Sequence, residues 1–269
     1  MARRARLDAE LVRRGLARSR AQAADLIAAG QVLVRGQAAA KAATQVALDE
    51  AISIDRTGDK AGMPDYASRG GHKLAGALTV FADLDVAGRR CLDAGASAGG
   101  FTDVLLRAGA AHVVAVDVGY GQLAWQLRTD GRVTVLDRVN IRNLDPAQVA
   151  PPPSLVTADL SFISLTQVLP ALIAASLPDA DFVLLVKPQF EVGKGQVGSG
   201  GVVRDAALRA AAVREVTASA REHGLGVRGV TASPLPGPAG NVEYFLWLSG
   251  GAPPLKEEML RSAIEAGPR

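Results

Sequence analysis

The chain has a single cysteine, Cys91, in 269 residues. That excludes a disulfide framework and any multi-cysteine zinc or iron–sulfur site, and no metal centre is expected. Aromatic residues make up 4% of the chain, and there are three histidines. Long apolar runs are also missing. The longest uninterrupted ones, such as residues 182–186, fall far short of the roughly 20 residues that span a bilayer. The first residues, Met1-Ala2-Arg3-Arg4-Ala5-Arg6, are basic with no apolar stretch behind them, which does not fit a secretory signal. A soluble, cytoplasmic protein is expected, without a membrane partner.

What is present is a globular composition: 48% hydrophobic and 21% charged, over a length of about two domains. The net charge of +3 conceals an asymmetry. Residues 1–60 hold eleven Lys and Arg against seven Asp and Glu, and the remainder holds nineteen against twenty. A basic N-terminal part suits a polyanionic partner; a solvated basic face is the alternative.

The first 60 residues read as one small module. Leu7, Leu11 and Val12 share a helical face that Gly15 can end. Ser19-Arg20-Ala21-Gln22 resembles a capping box that opens a second helix reaching Gly30. Short strands follow at residues 32–34 and 51–54, with a turn at Arg35-Gly36. Residues 57–66 are turn-rich, which gives a module over 1–60, a linker over 61–66 and a second domain over 67–269. From residue 67 strands and helices alternate. Strands are expected at 91–93, 112–117, 133–136, 155–157, 181–186, 227–232 and 243–249, and helices at 101–108, 122–128 and 205–223. This alternation predicts an α/β domain with a mostly parallel, doubly wound sheet. The glycine-dense residues 193–201 form either a mobile lid or a plain connection, and they lack phosphate-loop spacing.

Leu92-Asp93-Ala94-Gly95-Ala96-Ser97-Ala98-Gly99-Gly100-Phe101 follows a strand and opens a helix. Gly95 and Gly99 permit a tight turn and close approach of a ligand. The next strand ends in Asp117, an acid placed to accept hydrogen bonds from ribose hydroxyls. Ser97 stands where a dinucleotide fingerprint needs glycine, so the loop suits S-adenosylmethionine better. The same residues also match a hydrolase nucleophile elbow, with Asp159 and His223 in triad order. Against that reading, the elbow follows the first strand of the sheet, and His223 sits where a helix ends.

Four polar residues flank the strands: Lys73 before the first, Asp159 after the fourth, Lys187 after the fifth and Glu243 at the start of the last. The carboxyl ends of parallel strands line the ligand crevice, so Asp159 and Lys187 should face the same cleft as Gly95. Two lysines with two carboxylates can take a proton from a ribose hydroxyl and align it for methyl transfer. A buried structural ion pair is the alternative.

Taken together, these segments resemble the TlyA family of rRNA ribose methyltransferases, also called hemolysin A. The resemblance is carried by Leu7-Asp8 with Gly15-Leu16-Ala17-Arg18-Ser19-Arg20, by Ser68-Arg69-Gly70-Gly71-His72-Lys73-Leu74 and by Asp93-Ala94-Gly95-Ala96-Ser97. It continues in Ala158-Asp159-Leu160-Ser161-Phe162-Ile163-Ser164-Leu165, Val186-Lys187-Pro188-Gln189-Phe190-Glu191 and Asn241-Val242-Glu243-Tyr244-Phe245. It implies a Rossmann-like S-adenosylmethionine-dependent methyltransferase domain behind a small α+β, S4-type RNA-binding domain. It also implies a catalytic tetrad of Lys73, Asp159, Lys187 and Glu243. Cofactor contacts are implied at Asp93, Gly95, Ser97, Gly99, Gly100, Phe101, Asp117 and Asp137, and RNA contacts at Arg4, Arg6, Arg18, Arg20, Lys41 and Arg69. The implied reaction is cytidine 2′-O-methylation of 16S and 23S rRNA, in the 30S and 50S subunits, with an effect on susceptibility to capreomycin-type antibiotics. No obligate protein partner is implied. Where the family often has Asn or Asp before the hairpin glycine, this chain has Arg35.

Three rivals remain at this stage. Base methylation is weakened because Asp159-Leu160-Ser161-Phe162 lacks the Pro-Pro-aromatic pattern of amine methylation, and Cys91 lies inside a strand. A pore-forming hemolysin lacks a spanning segment. A purely RNA-binding module leaves Lys187 without a purpose.

Overall fold

The computed structural model describes residues 4–17, 19–28, 30–47, 50–54 and 65–267. The chain divides into two compact units, residues 1–65 and 66–269. Of the linker expected at 61–66, only Asp65 and Tyr66 are described; Arg18 lies outside the described residues.

The first unit comprises β1 (Arg4–Arg6), α1 (Leu7–Arg13), α2 (Arg20–Ala28), β2 (Val32–Val34), β3 (Gln37–Ala38), β4 (Gln45–Ala47) and β5 (Ile52–Ile54). β1 pairs antiparallel with β4, and β2 is flanked by β3 and β5. Leu7, Leu11, Ala23, Ile27, Val32 and Val46 form the core. Ser19 Oγ accepts the backbone N–H of Gln22 at 3.1 Å, the helix-start contact expected from the sequence. The β2–β3 turn needs two positive φ angles, which Arg35 (53°) and Gly36 (79°) supply.

The second unit continues with α3 (Arg69–Val80), β6 (Arg90–Ala94), α4 (Gly100–Arg107), β7 (His112–Asp117), α5 (Trp125–Arg128), β8 (Val133–Asp137), β9 (Leu155–Ala158) and α6 (Leu169–Ala174). After these come β10 (Asp181–Val186), α7 (Pro188–Glu191), α8 (Ala206–Glu222), β11 (Leu225–Ala232), β12 (Tyr244–Gly250) and α9 (Glu257–Glu265). Seven strands form one sheet in the order β11-β12-β10-β9-β6-β7-β8. β12 runs antiparallel to both neighbours, while β8, β7, β6, β9 and β10 are parallel. Strand side chains alternate between two cores. Leu92, Val114, Val156 and Leu184 pack with α6, α8 and α9. Cys91, Val113, Leu155 and Val183 pack with Leu74 of α3 and Val104 and Leu105 of α4. Apolar residues on both faces of each strand are what a doubly wound sheet requires.

The structure differs from the sequence expectation in several elements, three of them in the second unit. α3, which carries Lys73, forms despite Gly70-Gly71. α5 begins at Trp125 rather than 122. β12 begins at Tyr244, so Glu243 precedes the strand instead of opening it.

Candidate active site

Five parallel strands end on one edge of the sheet. Because β12 is antiparallel, its beginning lies on that same edge. The register pairs Val186 with Tyr244, so Lys187, just after β10, and Glu243, just before β12, emerge side by side. Asp159 follows β9, the neighbour of β10. Lys73 comes from the core-facing side of α3, which also buries Leu74 and Ala77.

These four residues form two ion pairs. Lys73 Nζ donates to Glu243 Oε2 at 2.5 Å. Lys187 Nζ lies 2.6 Å from Asp159 Oδ1 and donates to Ser161 Oγ at 3.0 Å. Lys73, Lys187 and Glu243 are buried, with 6%, 8% and 1% of their surface exposed. Buried charges persist only when paired and hydrogen-bonded. Yet Glu243 Oε1 is buried without any hydrogen-bond partner, an acceptor left unsatisfied beside a lysine.

The loop from Gly95 to Gly99 supplies the second half of the site. Gly95 (φ 84°) lies against β9's exit: a Cβ there would stand 2.5 Å from the Asp159 carbonyl oxygen. Gly99 (φ 96°) is the N-cap of α4, which Gly100 opens. Asp117 accepts the backbone N–H of Ser97 at 2.8 Å and of Gly119 at 2.7 Å. Its carboxylate thereby fixes the loop, and each oxygen keeps a further acceptor position. Val118, the next residue, is 71% exposed. An acid with spare acceptors and an exposed apolar residue after it fit the ribose and the base of an adenosine-type cofactor.

Of the other residues expected at the cofactor surface, Asp93 and Phe101 are buried, while Asp137 lies beside Asp117 at the end of β8. Asp93 is fully buried and accepts Thr102 Oγ1 at 2.6 Å. Burial, reinforced by nearby Asp159, pushes its carboxyl up to about 7, so it braces the start of α4 from below. Phe101 turns into the core against Phe245, with ring centroids 5.9 Å apart. Asp137 is engaged by Arg128 at 2.7 Å and by the Gly121 N–H at 3.3 Å. Arg69 is exposed and donates to the Pro236 carbonyl at 3.1 Å. In the first unit Arg4, Arg6, Arg20 and Lys41 are exposed.

The rival chemistries find no geometry. Ser97 Oγ meets Gln122 Oε1 at 3.2 Å, Asp159 is held by Lys187, and His223 sits exposed at the C-cap of α8. Burial pushes the Cys91 thiol up to about 12, which removes it as a nucleophile. No helix among the described residues is long and apolar enough to cross a membrane.

Two residues not singled out as site residues now stand out. Phe162 is 91% exposed, has φ 64° and stacks obliquely on Phe190 at 5.1 Å. A bulky side chain held at positive φ and in solvent is an uncommon arrangement. Its signal in the sequence was an aromatic three residues after the candidate acid. Glu191 is buried; it accepts Ser164 Oγ at 2.5 Å and the Leu165 N–H at 3.0 Å, tying α7 to the loop after β9. Burial holds its carboxyl above the usual range.

A Rossmann-like sheet with an adenosine-type loop and two lysine–carboxylate pairs defines a group-transfer enzyme of the methyltransferase class, here joined to a second unit with a basic surface. Comparison with known proteins agrees. The chain belongs to the FtsJ-like methyltransferase family, which matches residues 66–250, and residues 5–52 match the S4 domain. It is 63% identical over 248 residues, 92% of its length and 91% of the relative's, to the 16S/23S rRNA (cytidine-2′-O)-methyltransferase TlyA of Mycobacterium tuberculosis. It is 37% identical to Hemolysin A of Brachyspira hyodysenteriae, over 89% of this chain and 98% of that one. Among solved structures, a Streptococcus thermophilus chain described as a hemolysin superposes with a TM-score of 0.76 at 36% identity, covering 99% of this chain and 98% of that one.

Proposed function

We propose that this chain uses S-adenosylmethionine to methylate cytidine 2′-hydroxyls in both 16S and 23S rRNA, in the cytoplasm and on the 30S and 50S subunits, and so alters susceptibility to capreomycin-type antibiotics. The observation that carries the reading is the pair of lysine–carboxylate contacts at the edge where the Gly95–Gly99 loop also opens. When bound, the cofactor supplies a methyl group on a sulfonium. Lys187 takes the proton of the ribose hydroxyl, which leaves the oxygen able to accept a methyl group. Asp159 holds the amine of Lys187, and buried Glu243 holds the amine of Lys73, which fixes both lysines at the site. Phe162 offers a stacking face to an unstacked base, an interaction worth about 1–3 kcal/mol per base in nucleic-acid complexes. The S4-type unit docks the RNA through Arg4, Arg6, Arg20 and Lys41.

The test is transfer of tritiated methyl groups to isolated 30S and 50S subunits, followed by nuclease mapping. Label should appear on cytidine ribose. Lys187→Ala should still bind cofactor and subunit but lose about 10²–10⁴ in rate, the usual worth of a positioned base. Near wild-type transfer by this variant would overturn the assignment.

A further inference from the structure

Within the first unit, the arginines are arranged by buried acids. Asp8, only 4% exposed, receives Arg6 through Nε at 3.1 Å and Nη2 at 3.0 Å, and Arg20 through Nε at 3.3 Å and Nη2 at 2.9 Å. The two guanidiniums come from different elements, the junction of β1 with α1 and the first turn of α2. Both Nη2 atoms converge on the same oxygen, Oδ2. Without that carboxylate, two like charges so close would repel. With it, they stand side by side while the side chains remain 46% and 60% exposed. Arg4, two residues before Arg6, shares its face of β1.

We propose that Asp8 is a positioning residue for RNA: it assembles Arg6 and Arg20 in advance into a two-armed clamp for a backbone phosphate. The inference rests on the reading of this unit as the RNA-docking domain. Planar guanidiniums bind phosphate through paired N–H groups, and a clamp built beforehand loses less rotamer freedom on binding. A carboxylate in a polyanion-binding surface lowers its net charge, so its value must lie in geometry.

That contrast makes the test decisive. Asp8→Asn adds one positive charge to the full-length protein, so charge alone predicts tighter binding to the 30S and 50S subunits. The clamp predicts about fivefold weaker binding and a shallower salt dependence, since a lost phosphate contact releases about one counterion fewer. In an Arg6→Ala, Arg20→Ala background Asp8→Asn should have little further effect, because the acid acts through both arginines. If Asp8→Asn fails to fold, Arg6→Lys with Arg20→Lys keeps charge and acid but removes the planar forks, and should weaken binding similarly. Equal or tighter binding by Asp8→Asn, or full affinity in the double lysine variant, overturns the proposal. Reversal of both arginines to Glu probes the underlying reading separately. If the reversal leaves binding and salt slope intact, this unit does not dock RNA. If the reversal weakens binding while Asp8→Asn strengthens it, the docking surface stands and only the clamp fails.

Discussion

Asp93 makes the stability of the methyltransferase unit depend on pH in a direction opposite to most carboxylates. It is fully buried under the first turn of α4, and its carboxyl is pushed from 3.8 up to about 7. The folded state therefore holds a proton that the unfolded chain releases near pH 4. Between those values the folded state binds more protons, so stability falls as pH rises. The stabilising neutral form is complete below about pH 4 and lost as pH climbs through about 7. A shift of roughly three units corresponds to about 4 kcal/mol at most. Asp93→Asn keeps the shape and the acceptor for Thr102 but cannot ionise. Both tryptophans, Trp125 and Trp247, lie in this unit, so urea unfolding followed by their fluorescence reports on it directly. Measured from pH 4.5 to 8.5, the Asn variant should gain stability relative to the parent as pH rises, by up to about 4 kcal/mol. Parallel stability curves for the two proteins would show that Asp93 ionises as it does in water and would refute the reasoning.

Gly95→Ala should weaken S-adenosylmethionine binding by at least about tenfold, equivalent to about 1.4 kcal/mol, because its Cβ meets the Asp159 carbonyl at 2.5 Å on a backbone at φ 84°; unchanged calorimetric affinity would count against the loop. Glu191→Ala should lower kcat about tenfold with cofactor affinity intact, by loosening the loop that carries Asp159 and Phe162, while Glu191→Gln restores most of it. Loss of cofactor binding instead would place Glu191 in a different role. Glu243→Ala alone should destabilise the fold by about 3–5 kcal/mol by leaving buried Lys73 unpaired, whereas Lys73→Met with Glu243→Leu should recover much of that in a urea melt and remain inactive in methyl transfer.

The strands were legible because apolar residues recur on both faces, and 112–117 and 181–186 coincide with the observed β7 and β10. Asp117 was legible for a related reason: an acid ending such a run can only lie at the sheet edge. α3 was not legible, since paired glycines weaken a helix; Gly71 in fact lets Tyr66 and the start of α4 approach closely. β1 and β4 were invisible because each is three residues long and exists only by pairing across some forty residues of chain. Asp93 and Phe101 were expected at the cofactor, yet strand alternation turns Asp93 beneath α4 and the first turn of α4 carries Phe101 into the core.

The arrangement of charge follows one physical rule in both units. Lys73 and Lys187 are each met by a carboxylate in the cleft, and Arg6 and Arg20 by Asp8 at the surface. A cation that must meet a polyanion gains little from being merely present, since salt screens it and its long side chain samples many rotamers. Pinned by an acid, it is held in one geometry before RNA arrives. Burial decides what the pin costs to remove. In the Lys73–Glu243 pair a lone partner would be a desolvated charge, so substituting either one perturbs fold and chemistry together. On the half-exposed arginine surface water replaces the lost acid, so the guanidiniums lose their geometry without being left desolvated. Asp8 is thus the position where the positioning role of an acid can be measured without disturbing the catalytic domain.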